Sequence, residues 1–242
     1  MNDFLPHLHA ELRRTRLTMR GATHRPEDVP IGLHKEYARM EKISLPEPHK
    51  LDCTVQEAIE RRRSTTYSKP GMSLTLDEIG TLLGSALRRH EHGARRMYPS
   101  GGGLYPVETY MIATQIENLP PSVLHYNPTA HTLERLWNLP QGFDIKDIAA
   151  KPEDLYPSVL IVFTSVWHRS SAKYGDLSYL HALLEAGHMS ENILLLSSAL
   201  DLEARPYAGF NDEEIIRLLD LNEKEEQPVH SITLSKVPLY ST

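Results

Sequence analysis

Residues 158–166, Ser-Val-Leu-Ile-Val-Phe-Thr-Ser-Val, carry no charge and are nearly continuous in branched and aromatic side chains. A strand sends successive side chains to opposite faces, so an unbroken apolar run is stable only where both faces are covered. The stretch predicts a central strand buried on both sides. The rest of the chain must then supply covering layers for a sheet.

The flanking sequence supplies helices. Thr54 with Glu57, and Thr75 with Glu78, each form a capping box, in which side chains satisfy free amides at a helix start. Val55, Ala58 and Ile59 predict one apolar face for the first helix, which runs out at Arg61-Arg62-Arg63-Ser64. After Thr75, Ile79, Leu82, Leu83, Ala86 and Leu87 recur at helical spacing. A long helix is expected over about residues 178–200. Asn211 and Glu214 open another, with Ile215, Ile216, Leu218 and Leu219 on one side. Further strands are expected over residues 107–114 and 229–237. Residues 124–126 and 132–136 flank Asn127-Pro128 as a hairpin. Helices and strands interleave, which implies an α+β or α/β class with one central sheet.

Residues 1–50 differ: they hold many His, Arg and Pro residues and no sustained periodicity. They are expected to form an N-terminal arm with one or two short helices lying across a partner subunit, followed by a compact domain over residues 51–242. The net charge of −6 argues against a nucleic-acid partner. The basic clusters at residues 61–63 and 88–96 are short enough to be solvated surface. Cys53 has no partner for an internal disulfide, which fits a reducing compartment, and its place just before a helix suits a small packed hydrophobe. The first twenty residues lack the apolar core of a signal peptide. No apolar stretch approaches the ~20 residues of a membrane helix, so a cytoplasmic protein is expected.

The chain has no Gly-x-Gly-x-x-Gly turn, no phosphate-binding Gly-Lys-Ser/Thr loop and no Gly-x-Ser-x-Gly elbow. Three segments could carry chemistry. Arg62, Arg63 and Ser64 taken alone are ordinary complements to the negative end of the preceding helix, and they also suit a phosphate through charge-assisted bonds. Pro99, Ser100, Gly101, Gly102 and Gly103 lack Cβ atoms over three residues, so backbone amides could approach a flat ligand; the alternative is a mobile turn. Lys173-Tyr174 could handle protons if placed in a cleft, and is otherwise an ordinary surface dipeptide. His181, Glu185 and His188 share one helix face, but they span about 10 Å along the axis, too far for a single metal to bind all three. No metal site is expected.

Taken together, these segments resemble the azoline dehydrogenase (SagB-type) branch of the FMN-dependent nitroreductase superfamily. Arg62-Arg63-Ser64 resembles the phosphate-binding start of that fold. Residues 98–108, Tyr-Pro-Ser-Gly-Gly-Gly-Leu-Tyr-Pro-Val-Glu, resemble the branch's Tyr-Pro-Ser-Gly-Gly segment. Glu185-Ala186-Gly187-His188, with Glu191-Asn192, resembles its long-helix motif, with Glu191 where Gln is usual. Residues 205–210, Arg-Pro-Tyr-Ala-Gly-Phe, resemble the loop after that helix, and residues 37–46 its lead-in.

The resemblance covers roughly residues 37–240. It implies an α+β nitroreductase-like fold, a mostly antiparallel sheet packed by helices, an intertwined homodimer and FMN held at its interface. It also implies roles. Lys173 and Tyr174 would be catalytic, one as base and the other orienting or stabilising charge. Arg62, Arg63 and Ser64 would hold the phosphate and ribityl side. Pro99, Ser100, Gly101 and Gly102 would meet the flavin, and Pro206, Ala208 and Gly209 would present backbone to its ring. The implied substrate is an azoline-containing peptide, and a cyclodehydratase is an implied partner. Two departures stand out. Thr66 occupies a place where a basic residue is usual, and only Lys236 is available as a C-terminal phosphate partner. The competing readings are an NAD(P)H-dependent nitro or flavin reductase and a non-catalytic scaffold.

Overall fold

The computed structural model describes residues 4–18, 34–64, 72–93, 95–149 and 157–236. Its centre is a seven-stranded sheet in the order β1-β4-β3-β2-β5-β7-β6, with every pairing antiparallel. The strands are β1 (Glu41–Ser44), β2 (Val107–Ala113), β3 (Ser122–Asn127), β4 (Thr132–Asn138), β5 (Val159–Val166), β6 (Glu203–Pro206) and β7 (Glu226–Ser235). The helices are α1 (Phe4–Thr18), α2 (Val55–Arg61), α3 (Leu76–Leu87), α4 (His168–Tyr174), α5 (Leu177–Ala199) and α6 (Asp212–Leu218). This is the expected α+β fold. Among the described residues, no helix is long and apolar enough to cross a membrane.

β5 is the buried central strand that its composition demands: all eight residues are buried. Val159, Ile161 and Phe163 face one way, into a core with Ile79, Leu82, Leu83 and Leu87 of α3 and Ala182, Ala186, Met189 and Ile193 of α5. Leu160 and Val162 face the other way, against Tyr110, Ile112, Ile215 of α6 and Tyr207. Burying a Leu or Ile side chain contributes about 1.5–3 kcal/mol, so these two layers dominate stability. Both capping boxes form, with Thr54 and Thr75 accepting from the amides of Glu57 and Glu78. Asn211 caps α6 through the amides of Glu213 and Glu214.

The structure departs from expectation in four places. β1 lies within residues 1–50, pairing with β4 from Glu41↔Arg135 to Ser44↔Thr132. β6 and α4 were not foreseen: β6 has only four residues, and α4 lacks the side-chain cap that marks the equally short α2 and α6. Only Ala58 of the α2 apolar triplet is buried; Val55 and Ile59 face outward. Cys53 is half-buried, its thiol near the Thr54 carbonyl.

Candidate active site

The sheet register brings two of the three candidate segments together. β2 and β5 are antiparallel, with Val107 opposite Ser165. The Gly-rich loop entering β2 and the α4 segment leaving β5 therefore emerge side by side, joined by the Val166 amide donating to the Pro106 carbonyl at 2.9 Å. Residues 101–103 form a 3₁₀ turn in which Gly102 has φ +67 and Gly103 φ +68. A Cβ at Gly102 would lie 2.5 Å from the Tyr174 hydroxyl and 2.9 Å from Lys173 Nζ. A Cβ at Gly101 would lie 3.1 Å from His181 Nδ1. The missing Cβ atoms let backbone and catalytic candidates touch. Lys173 Nζ lies 5.2 Å from the Tyr174 ring centroid, and that ring meets His181 edge-to-face at 4.6 Å.

A buried polar layer supports this loop. Arg96 donates to the Tyr98 hydroxyl at 2.7 Å and lies 4.6 Å from the centroid of the Tyr105 ring. Glu185, on α5, accepts from the Val107 amide at 3.4 Å. Burial pushes its carboxyl up to about 7, against the opposing pull of the Ser100 hydroxyl, Arg96, the Val107 amide and Arg169. Arg169, on α4, pairs with Glu108 at 2.5 Å. Glu108 also meets His125 Nε2 at 2.9 Å, and His125 Nδ1 meets Glu134 at 3.0 Å. Against the burial that would raise it, the His125 bond and the nearby cations hold Glu108 down at about 2. Burial disfavours the His125 imidazolium, yet its two carboxylate partners raise its pKa. Of this layer, sequence reasoning named Tyr98, Ser100, Tyr105, Glu108 and Glu185 within their motifs but missed Arg169, His125 and Glu134. The only signal for the missed strand residues was imidazole and charge at His125 and Glu134, inside otherwise apolar strands.

The Arg62–Ser64 segment lies at the other end of α5. Arg61 pairs with Asp201, just past that helix. Arg63 Nη1 donates to the carbonyls of Glu60 at 2.7 Å and Arg62 at 2.9 Å, closing the end of α2. Arg61 and Arg63 line a cavity of about 230 Å³ with Leu194, Ser198, Leu202 and Ala204. Lys236 bonds Glu78 at 2.7 Å. Thr66 lies outside the described residues. Pro206 ends β6 opposite Ile232, Tyr207 is buried, Ala208 is exposed, and Gly209 packs on the Tyr207 ring. Pro99 is exposed, and Ser100 Oγ accepts from the Tyr105 amide at 2.9 Å.

The donor chemistry fits FMN in kind. Arg62, Arg63 and Ser64 are residue types that bind phosphate, and Arg63 lines a small cavity that Asp201 and Glu203 also line; the glycine backbone of the loop is a surface type that suits a flat ring, here covered at Gly101 by His181, at Gly102 by Lys173 and Tyr174, and at Gly209 by Tyr207. For a phosphate, Arg63 would exchange its two carbonyl bonds. Among the described residues, no cluster of three His, Cys, Asp or Glu side chains is placed to hold a metal.

The fold is an α+β scaffold with one antiparallel sheet covered by helices on both faces. The nitroreductase family profile matches residues 59–235, more than half of the chain, and the chain belongs to this family of oxidoreductases. Its relatives include MJ1384 of Methanocaldococcus jannaschii, assigned by name to the nitroreductases, at 27% identity over 75% of this chain and 91% of that protein. The microcin B17-processing protein McbC of Escherichia coli is 28% identical over 64% of this chain and 60% of McbC. Among solved structures, the E. coli microcin synthetase McbBCD complex with truncated pro-MccB17 matches 96% of this chain and 94% of that chain, with a TM-score of 0.65 and 20% identity. A nitroreductase-type protein of Exiguobacterium sibiricum, solved in complex with FMN, matches 78% of this chain and 90% of that chain (TM-score 0.53, 12% identity).

Proposed function

We propose that this chain is an FMN-dependent dehydrogenase that oxidises thiazoline or oxazoline rings of a peptide to thiazoles or oxazoles. The observation carrying this reading is the packing of Lys173 and Tyr174 against the Cβ-free backbone of Gly102, with His181 against Gly101 beside them. The relationship to McbC supports the substrate class, and the likeness to the McbBCD structure supports a cyclodehydratase partner. The FMN-bound fold neighbour supports the cofactor.

Aromatising an azoline removes a proton from Cα and a hydride from Cβ. Bound FMN supplies the hydride acceptor, since side chains do not. Lys173 or Tyr174 takes the Cα proton while the other orients it or stabilises charge. Gly101 and Gly102, lacking Cβ atoms, let the pair and His181 seat directly against the loop. Arg62, Arg63 and Ser64 bind the phosphate; Pro206, Ala208 and Gly209 offer backbone to the ring.

A homodimer is part of the same proposal. From His181, beside the catalytic pair, to Ser198, beside Arg63, α5 rises about 25 Å at ~1.5 Å per residue. If the Arg62–Ser64 segment and the Lys-Tyr pair serve one FMN, a span of this length favours drawing them from two subunits. The outward Tyr179, Leu183 and Leu184 of α5 and Val55 and Ile59 of α2 give that second copy an apolar surface.

The test is a visible spectrum of the purified protein with the released cofactor weighed, followed by turnover of a thiazoline peptide. Wild type is expected to carry one FMN per subunit and form thiazole. Lys173→Ala should keep FMN and lose turnover, whereas full activity in that variant refutes the catalytic assignment. NADPH that bleaches the flavin, without thiazoline turnover, would favour the nitro or flavin reductase.

A further inference from the structure

We infer that Arg169 is a positioning residue that holds the Gly-rich loop and the Lys173–Tyr174 pair in register as one unit. This rests on the dehydrogenase reading for its kinetic consequence but not for its structural one.

α4 is only seven residues long and ends at Gly175, with φ +52. A helix of two turns is not stable alone, so its position is set by tertiary contacts. Arg169 lies four residues before Lys173, on the same helix face. Its guanidinium is buried between two anchors, Glu108 Oε1 at 2.5 Å and the Tyr105 carbonyl at 3.1 Å. Tyr105 lies two residues past Gly103 and is itself held in a costly conformation, φ +48. A non-glycine residue there costs about 1–2 kcal/mol and persists only if its surroundings over-determine it. Three bonds do so. The Tyr105 amide donates to Ser100 Oγ at 2.9 Å, its hydroxyl accepts from the Arg96 amide at 3.0 Å, and its carbonyl accepts from Arg169. Of the three, only the Arg169 bond reaches the helix that carries the catalytic pair.

Glu108 is fixed in turn. Besides Arg169 and His125, it accepts the Lys35 amide at 2.7 Å. His125 is held from the far side by Glu134, which accepts the Tyr37 amide at 3.1 Å. A chain of bonds thus runs from β4 through β3 and β2 to α4. Arg169 is its last member, and with no slack between Gly102 and Tyr174 any drift of α4 shifts the pair against the loop.

The experiment uses the FMN-loaded protein with Arg169→Met and Arg169→Lys, reading hydrogen exchange by mass and kinetics on a thiazoline peptide. In Arg169→Met, exchange over residues 100–106 and 169–176 should rise about tenfold or more while β2, β5 and β7 stay protected. Its kcat should fall about 100-fold, the scale of a 1 Å misplacement, with KM little changed. Both bonds leave the same Nη1, so Arg169→Lys, which keeps the charge on a shorter stem, should fall between the two. Unchanged exchange in either segment, or unchanged kcat, overturns the inference. A rise spread over the whole sheet in both variants also overturns it, since Arg169 would then be merely structural. If wild type fails to oxidise azolines but the localised exchange appears, positioning stands and the dehydrogenase reading falls.

Discussion

Replacing Gly102 by alanine separates backbone strain from displacement of the catalytic pair. The residue has φ +67, where an L side chain costs about 1–2 kcal/mol. The new methyl would also sit 2.5 Å from the Tyr174 hydroxyl and 2.9 Å from Lys173 Nζ. Non-bonded heavy atoms rest at about 3.5 Å, so Tyr174 must withdraw by roughly 1 Å. Both neighbours are ends of long side chains, so that withdrawal adds little to the stability cost. It does move the groups proposed to handle the proton, and 1 Å of misplacement costs on the order of 100-fold in rate. Gly103→Ala is the matched control: φ is +68 and nothing lies within 4 Å of its Cβ. Thermal unfolding and thiazoline turnover should be measured on both. Each variant should lose a few degrees of Tm, about 2–4 °C per kcal/mol for a chain of this size. Only Gly102→Ala should lose kcat, by about 100-fold. Equal turnover in the two variants, or a far larger fall in Tm for Gly102→Ala, refutes the reasoning.

Glu185→Gln should change how stability depends on pH. The carboxyl is raised from 4.5 to about 7 in the folded protein, so between those values the folded state binds more protons than the unfolded one. Stability is then lost as pH rises from 4.5 to 7, on the order of 3 kcal/mol for this group. Urea unfolding midpoints of wild type and Glu185→Gln should therefore diverge in favour of the variant as pH rises from 5 to 8. Parallel curves would show that Glu185 ionises freely. His125, whose folded pKa is also raised, contributes fully below 6.5 and loses that contribution as pH rises through its folded value. Glu108, held at about 2, contributes above 4.5 and loses that contribution as pH falls toward 2. In Gly80→Ala, a Cβ would meet the Pro46 backbone carbonyl at 2.6 Å. The ~1 kcal/mol gained in helix propensity should be outweighed by an overpacking cost of about 1–3 kcal/mol, giving a lower Tm; a higher Tm would show that residues 46–48 yield freely.

Much of the layered fold was legible in the residues themselves. An uncharged run at 158–166 can only be a covered strand, and the Thr54/Glu57 and Thr75/Glu78 pairs mark helix starts, because these signals are local and act within one turn or one pleat. The candidate segments were also visible as Arg62–Ser64, Ser100–Gly102 and Lys173–Tyr174. What they do to one another was not. Only the antiparallel pairing of β2 with β5 sets the Gly-rich loop beside α4, and only the length of α5 sets the arginines far from the Lys-Tyr pair. The charged layer of Arg169, Glu108, His125 and Glu134 was equally hidden, since its members come from four elements spread over 62 residues of sequence. The sequence by itself determined which segments become strand or helix and which side chains could do chemistry. The tertiary structure alone decided which of them meet, because strand order and register are settled by burial summed over the whole sheet, and a buried charge persists only where distant partners converge to satisfy it.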